Sequence, residues 1–369
     1  MTTLRVRTGD IEWYGQYIDK MVQEARDGFH PAIDRLRIHV VRFAGMSNAE
    51  IANGEPTRED GQLVYAREHG FQSWGEMADY AERMRKGEVN DSYGTFVYAI
   101  EGKDPETVQD LLKSDPGLVH EGGSNSKTPL HCTPDVRVIR ILLEHGAPVE
   151  KEALGAGGTA LVHALHWGWA EKAELLAEHS LAPANLRVAA GLGRMDLAEA
   201  MFEEDGSLTP DAGANREFYR PNYGWFPWAP SDDPQEVLDE GLSYAARNGR
   251  IEAMEYLKAR GADLNAVTYL APPIHYTVWR GLMEALLWLV DNGADVNALG
   301  SFGGHARGVT ALHLAASDGS LDIVKYLISQ GVDVTVKDEL YGGDALGWAQ
   351  HFKRPEMVDY LKTVPGLGG

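Results

Sequence analysis

From about residue 91 onward the chain carries short apolar blocks at helical rather than strand spacing. In the clearest block Ile323, Val324, Leu327 and Ile328 share one face of a predicted helix. Just upstream, Ala311-Leu-His-Leu-Ala-Ala316 predicts a second short helix, whose paired alanines let a neighbouring helix approach closely. Gly319 and Gly331 follow these helices, where a left-handed turn residue is wanted. The arrangement returns around Pro273-Ile-His-Tyr276 and Met254-Glu-Tyr-Leu257, and the turn sequences Gly261-Ala-Asp-Leu-Asn265 and Gly293-Ala-Asp-Val-Asn297 stand 32 residues apart. Fainter copies begin near Gly94, Thr128, Thr159, Ala184 and Asp344, which makes eight units over residues 91–369. A single unit of this kind cannot bury its own apolar face, so stability is a sum over neighbours.

The period is close to the ~33 residues of ankyrin repeats, and Thr310-Ala-Leu-His-Leu-Ala-Ala316 resembles that family specifically. The resemblance implies an all-α solenoid of about eight irregular helix-turn-helix repeats with short hairpin loops, and binding rather than catalysis. The last unit sets Lys353 in the glycine position and adds Pro355, as an atypical end repeat would. Irregularities fall at Cys132-Thr-Pro-Asp135, at Ser180–Ala184, at Ser301-Phe-Gly-Gly-His-Ala306, and most of all in an aromatic-rich insert at 207–235. Residues 1–90 lack the repeat and are expected to form a separate small helical module. There Thr57–His69 predicts a helix closed by Gly70, and Ser73-Trp-Gly-Glu76 predicts a capping box. Arg42–Ile51 and Ala66-Arg-Glu-His-Gly-Phe-Gln-Ser-Trp74 resemble a module found ahead of ankyrin arrays in bacterial proteins, which suggests a bacterial source and implies no activity.

Composition narrows the partners. Lys plus Arg is 34 and Asp plus Glu is 55, a formal charge of −21. That balance argues against nucleic acid, whose binding needs a basic face, and against an anionic membrane surface. With one cysteine, Cys132, no intrachain disulfide can form. The N-terminus lacks the apolar run of a signal peptide, and Leu282–Val290 is too short to span a bilayer, so a cytoplasmic protein is expected.

The resemblance places the first helix of each repeat on a concave surface, where positions i, i+3 and i+4 share a face. Read this way, successive repeats present His163, His166 and Trp167; Tyr244, Arg247 and Asn248; Tyr276, Trp279 and Arg280; Leu314, Ser317 and Asp318; and Trp348, His351 and Phe352. Tyr223, Trp225 and Trp228 of the insert would either join them as a wall or lid or fill the gap that a distorted repeat leaves. The expected occupant is a protein or peptide. The alternative is a neutral-to-anionic small molecule, bound or turned over by general acid/base chemistry with His163, His166, Tyr276 and Asp318. No cofactor is expected, because phosphate-loop and dinucleotide fingerprints are missing. No metal is expected either, since His163-x-x-His166 lacks further ligands nearby. His131, His275 and His313 hold the family's Thr-Pro-Leu-His position and are expected to order turns. Because the groove side chains would face outward, replacing His166 and Tyr276 is expected to leave stability unchanged.

Overall fold

The computed structural model describes residues 6–89, 92–122, 127–151, 158–180, 185–214, 216, 231–302 and 306–367. It divides into two compact units, one chiefly over Met1–His163 and the other chiefly from Ala164 onward.

In the first unit, α1 (Glu12–Arg26), α2 (His30–His39), α3 (Asn48–Asn53), α4 (Arg58–Glu68) and α5 (Trp74–Arg85) surround a core of Tyr14, Ile18, Met21, Ile33, Leu36 and Val64. Thr57 and Asp60 form a capping box at α4, and Gly70 turns the chain out at a φ of 84°. At α5 Ser73 caps the Glu76 amide, while the Glu76 carboxylate turns to the Gln72 amide instead. A Cβ on Gly61 would stand 2.8 Å from Val22, so α4 reaches α1 only because that residue is glycine. Then come α6 (Ser92–Glu101), α7 (Pro105–Ser114) and α8 (Val136–Glu144). The first helix expected near Thr128 is reduced to a single turn, Pro129–His131, as the missing residues at Cys132–Asp135 required. Arg7 lies over the Trp13 and Tyr98 rings and pairs with Glu101, so α1 and α6 belong to one unit.

Helix α9 (Ala160–His166) leads into the second unit, which continues with α10 (Ala170–Ala177), α11 (Leu186–Leu192), α12 (Met195–Glu199), α13 (Pro234–Arg247), α14 (Ile251–Ala259), α15 (Pro273–Trp279), α16 (Met283–Asp291), α17 (Ala311–Asp318), α18 (Leu321–Ser329), α19 (Ala345–His351) and α20 (Pro355–Leu361). The first helices α11, α13, α15, α17 and α19 pack side by side in sequence order. Ile323, Val324 and Leu327 are buried as their spacing predicted. Lys353 does occupy the glycine position, with a φ of 56°. The excess residues between α16 and α17 form an antiparallel pair, β1 (Gly300–Phe302) and β2 (Ala306–Val309), the only strands among the described residues.

Asx side chains tie the turns together. The Asp239 carboxylate accepts from the Asp263 amide (2.7 Å), the Asn265 side-chain oxygen from Asp295 (2.8 Å), and that of Asn297 from Asp333 (2.7 Å). Each Asp of these turns also accepts from the amide two residues on, at Asn265, Asn297 and Thr335. The histidines of the turn motif behave as expected. Nδ1 of His131 and His313 meets Thr128 and Thr310 Oγ1 (2.8 Å each), and Nε2 donates to the Gly158 and Gly343 carbonyls (3.1 Å each). No helix among the described residues is long and apolar enough to cross a membrane.

Candidate functional site

Helix α13 is the longest of the second unit among the described residues, fourteen residues against seven or eight for the first helices α11, α15 and α17. Asp233 caps it and Pro234 opens it, so it starts early and buries a continuous run from Val237 to Arg247. From Glu236, half-buried just ahead of that run, one face is polar: Glu236, Glu240, Ser243 and Arg247 follow i, i+4, i+7 and i+11.

The N-terminal half of this stripe is ionic. Glu240 accepts from Arg187 on α11 (2.8 Å) and from Arg216, while Arg216 also donates to Glu236 (2.6 Å) and to the Ser231 carbonyl (2.7 Å). Arg187, Arg216 and Glu240 are all buried. A buried charge persists only when paired and hydrogen-bonded, which this arrangement supplies.

Towards the C-terminal half, Arg247 donates to His166 Nδ1 (2.6 Å), to the His166 carbonyl (3.1 Å) and to Ser243 Oγ (3.1 Å). Its guanidinium lies 3.6 Å from the centre of the Tyr276 ring and 5.1 Å from that of Tyr244. Tyr269 stacks edge-on to His166 at 4.7 Å, and Trp167 meets Trp279 edge-on at 5.5 Å. A Cβ on Gly168 would lie 2.4 Å from the Arg247 carbonyl; glycine is what lets the His166 turn sit against α13.

Burial and the Arg247 and Arg187 cations together drive the His166 pKa well below its ordinary value. A guanidinium can only donate, so the neutral ring accepts through Nδ1 and carries its proton on Nε2. Burial raises the Tyr244 phenol to about 12 and also raises Tyr276, so both rings stay protonated near neutral pH. The cluster is therefore rich in donors, with a histidine that is a poor proton acceptor.

Of the residues expected on an open groove, His166, Trp167, Tyr244, Arg247, Tyr276 and Trp279 are brought together, with Arg280 against the Trp279 ring. They do not face outward as expected: Tyr276 is 2 % exposed and His166 6 %. The reason is the length and depth of α13, which carries Tyr244 and Arg247 inward. Replacing His166 and Tyr276 is accordingly expected to cost stability. His163 is buried in the first unit, edge-on to His131 at 5.5 Å. Asp318 is exposed and accepts from Ser320 Oγ (2.7 Å). Trp348 donates its indole N–H to Asp338 (3.0 Å), and His351 is exposed beside Phe352. Tyr223, Trp225 and Trp228 lie outside the described residues.

Sequence reasoning missed Arg187, Arg216, Glu236, Glu240 and Ser243. For Glu236, Glu240 and Ser243 the signal was available in the stripe from Glu236 to Arg247, four polar positions at helical spacing beside Val237, Leu238, Leu242 and Ala245. Among the described residues no group of three His, Cys, Asp or Glu side chains is placed to hold a metal.

A second surface contrasts with this buried site. Val267, Leu299, Leu340 and Tyr341 are exposed on the turns before α15, α17 and α19, and Tyr341 is 77 % exposed. Asp338 fixes the last of these turns, accepting from the amides of Leu340, Tyr341 and Gly343. Burial disfavours its carboxylate, but the Tyr341 amide and the Trp348 indole hold its pKa below the usual range.

A family model described as ankyrin repeats, in three copies, matches residues 274–365. An L-asparaginase from Dirofilaria immitis is 28 % identical over 131 residues, which is 36 % of this chain and only 16 % of that protein's length.

Proposed function

From the premise that this is an ankyrin-repeat protein, with its matched repeats at residues 274–365, we propose that it recognises a protein or peptide through the exposed turns of its C-terminal repeats. Ankyrin repeats generally mediate protein–protein interaction. One observation carries the choice of surface: the first-helix side chains around Arg247 are buried, whereas Val267, Leu299, Leu340 and Tyr341 offer apolar area to water. Apolar residues gathered on an exposed surface and rimmed by polar ones mark interaction sites. The test is a selection from a random peptide display library on the purified chain. Selected peptides should lose roughly tenfold or more in affinity, about 1.4 kcal/mol, on Leu340→Ser with Tyr341→Ser. Binders indifferent to both changes, or no binders, would refute the reading.

A second reading places a neutral-to-anionic small molecule at Arg247, His166 and Tyr276. In its favour, a cation, two protonated phenols and an imidazole N–H converge in one buried region. The low proton affinity of His166 speaks for binding over base catalysis. Thermal stabilisation by small carboxylates that vanishes in Arg247→Lys would support it. A cytoplasmic location, a bacterial source and a change from helical module to repeats near residue 90, inside the first compact unit, complete the proposal; the single cysteine accords with the first.

A further inference from the structure

Resting on the protein-recognition reading, we infer that the segment bound is a basic, extended polypeptide stretch with a cation at about every third residue, laid across the turns between residues 263 and 337. Three consecutive turns present the same alternation. Asp263, Asn265 and Val267 are exposed in the first, Asp295, Asn297 and Leu299 in the second, and Asp333, Thr335 and Lys337 in the third. The turns are in register because the side-chain oxygens of Asn265 and Asn297 accept from the amides of Asp295 and Asp333 at 2.8 and 2.7 Å. Asp263, Asp295 and Asp333 therefore form a row of carboxylates beside an apolar row of Val267 and Leu299.

Each carboxylate is already oriented, since one of its oxygens accepts an amide N–H within its own turn at 2.8–2.9 Å. Pre-ordered groups lose little entropy on binding. At the third turn Lys337 stands where Val267 and Leu299 stood, and the apolar contact passes to Leu340 and Tyr341 on the turn that Asp338 fixes. The net charge of −21 steers a basic partner towards the molecule and turns an acidic one away. Packed helices lie about 8–10 Å apart. A partner in the extended polyproline II conformation rises ~3.1 Å per residue and returns the same face every three residues. Successive carboxylates are thus met by roughly every third partner residue, with an aliphatic side chain between them for the apolar row.

The probes are three fluorescent peptides of equal length. One repeats Lys-Leu-Ser, one is its isomer with all lysines at one end, and one repeats Glu-Leu-Ser. The intact chain should bind the first roughly tenfold more tightly than the second and the third not at all, with affinity falling as salt rises. Changing Asp263, Asp295 and Asp333 to Asn keeps the oxygen that each turn uses, so the variant should melt like the parent while binding the first peptide about tenfold more weakly. Should that variant melt earlier, Val267→Ser with Leu299→Ser replaces it, with the same loss expected. Equal binding of the two lysine isomers, unchanged binding by the folded variants, or no binding at all overturns the inference. If the display selection then still returns peptides that need Leu340 and Tyr341 but carry no spaced cations, only the basic-partner inference fails. If it returns none, protein recognition at this edge fails with it.

Discussion

Helices α13 and α17 each open a repeat of the same unit and do it with opposite chemistry. Helix α17 is eight residues long, and its buried positions are alanine, leucine and one histidine whose ring nitrogens are both hydrogen-bonded. Helix α13 is nearly twice that length and buries Glu240, Ser243 and Arg247 beside Leu242, Tyr244 and Ala245. The repeat thus needs only an apolar face and a turn. A buried ion cluster is often no more stable than apolar residues of similar volume, so the folding of the repeat does not by itself explain why α13 carries one.

The sharpest way to break this comparison is Glu240→Gln. It leaves Arg187 and Arg216 without the carboxylate between them and should cost ~3–5 kcal/mol, read as a shifted urea midpoint. On α17, Ser317→Ala removes only a hydroxyl bonded to the Leu314 carbonyl and should stay within about 0.5 kcal/mol. Replacing Arg187, Arg216 and Glu240 together by Leu, Met and Leu should recover most of the loss. A triple variant as unstable as Glu240→Gln would mean that the cluster is a structural necessity. Next in size, Leu327→Ala should cost ~2–5 kcal/mol, because this side chain on the second helix of the α17 repeat is fully buried. A Glu240→Gln loss well below it would show that the α13 charges keep access to water.

The same contrast marks how far the sequence could be read. The α17 repeat was legible to the residue because Thr310, His313, Gly319 and Leu327 each do locally what their chemistry dictates. Even the shortened turn at Pro129–His131 and the odd Lys353 were visible as departures from the period. The α13 site was half legible. His166, Trp167, Tyr244, Arg247, Tyr276 and Trp279 were found by their position in the repeat, but helical spacing gives a face and not its depth. Whether that face meets water depends on Arg187 of α11 and on Arg216, which pairs with Glu240 from 24 positions away in the sequence. Long-range pairing of that kind leaves no periodic trace.

A smaller effect tests the neutral state assigned to His166. Its folded pKa lies below the unfolded value of about 6.5. Above that pH neither state binds the proton; below it the unfolded chain does and the folded one does not. The stability is therefore whole above about pH 6.5 and is lost as pH falls towards the folded pKa. His275 and His313 act in the same direction, so the test is a difference between proteins. His166→Asn keeps an acceptor for Arg247 and should reduce the slope of unfolding free energy between pH 6 and 5 by up to about 1.4 kcal/mol per pH unit, roughly one proton. An unchanged slope would place the proton on His166 in the folded state.

The smallest effect concerns α15, which stands between the two helices compared. His275 donates through Nε2 to the Val309 carbonyl at 2.8 Å, and its Nδ1 is buried with no partner among the described residues. In the α17 repeat Thr310 supplies both a hydroxyl and an amide to the equivalent nitrogen. Here Pro272 stands in that place and has neither group. Its φ of −61° and ψ of 160° lie close to the −96° and 165° of Thr310, so threonine fits the backbone already present. Pro272→Thr should gain a buried hydrogen bond of ~0.5–1.5 kcal/mol. It gives back about 0.4–1 kcal/mol, because the unfolded chain loses proline's restriction. The net is a stabilisation of at most about 1 kcal/mol. Pro272→Ala isolates the hydroxyl, since it restores the amide and pays the same entropy. Threonine must melt above alanine by a few degrees; if it does not, the orphaned nitrogen costs the fold nothing and the α15 repeat tolerates what α17 avoids.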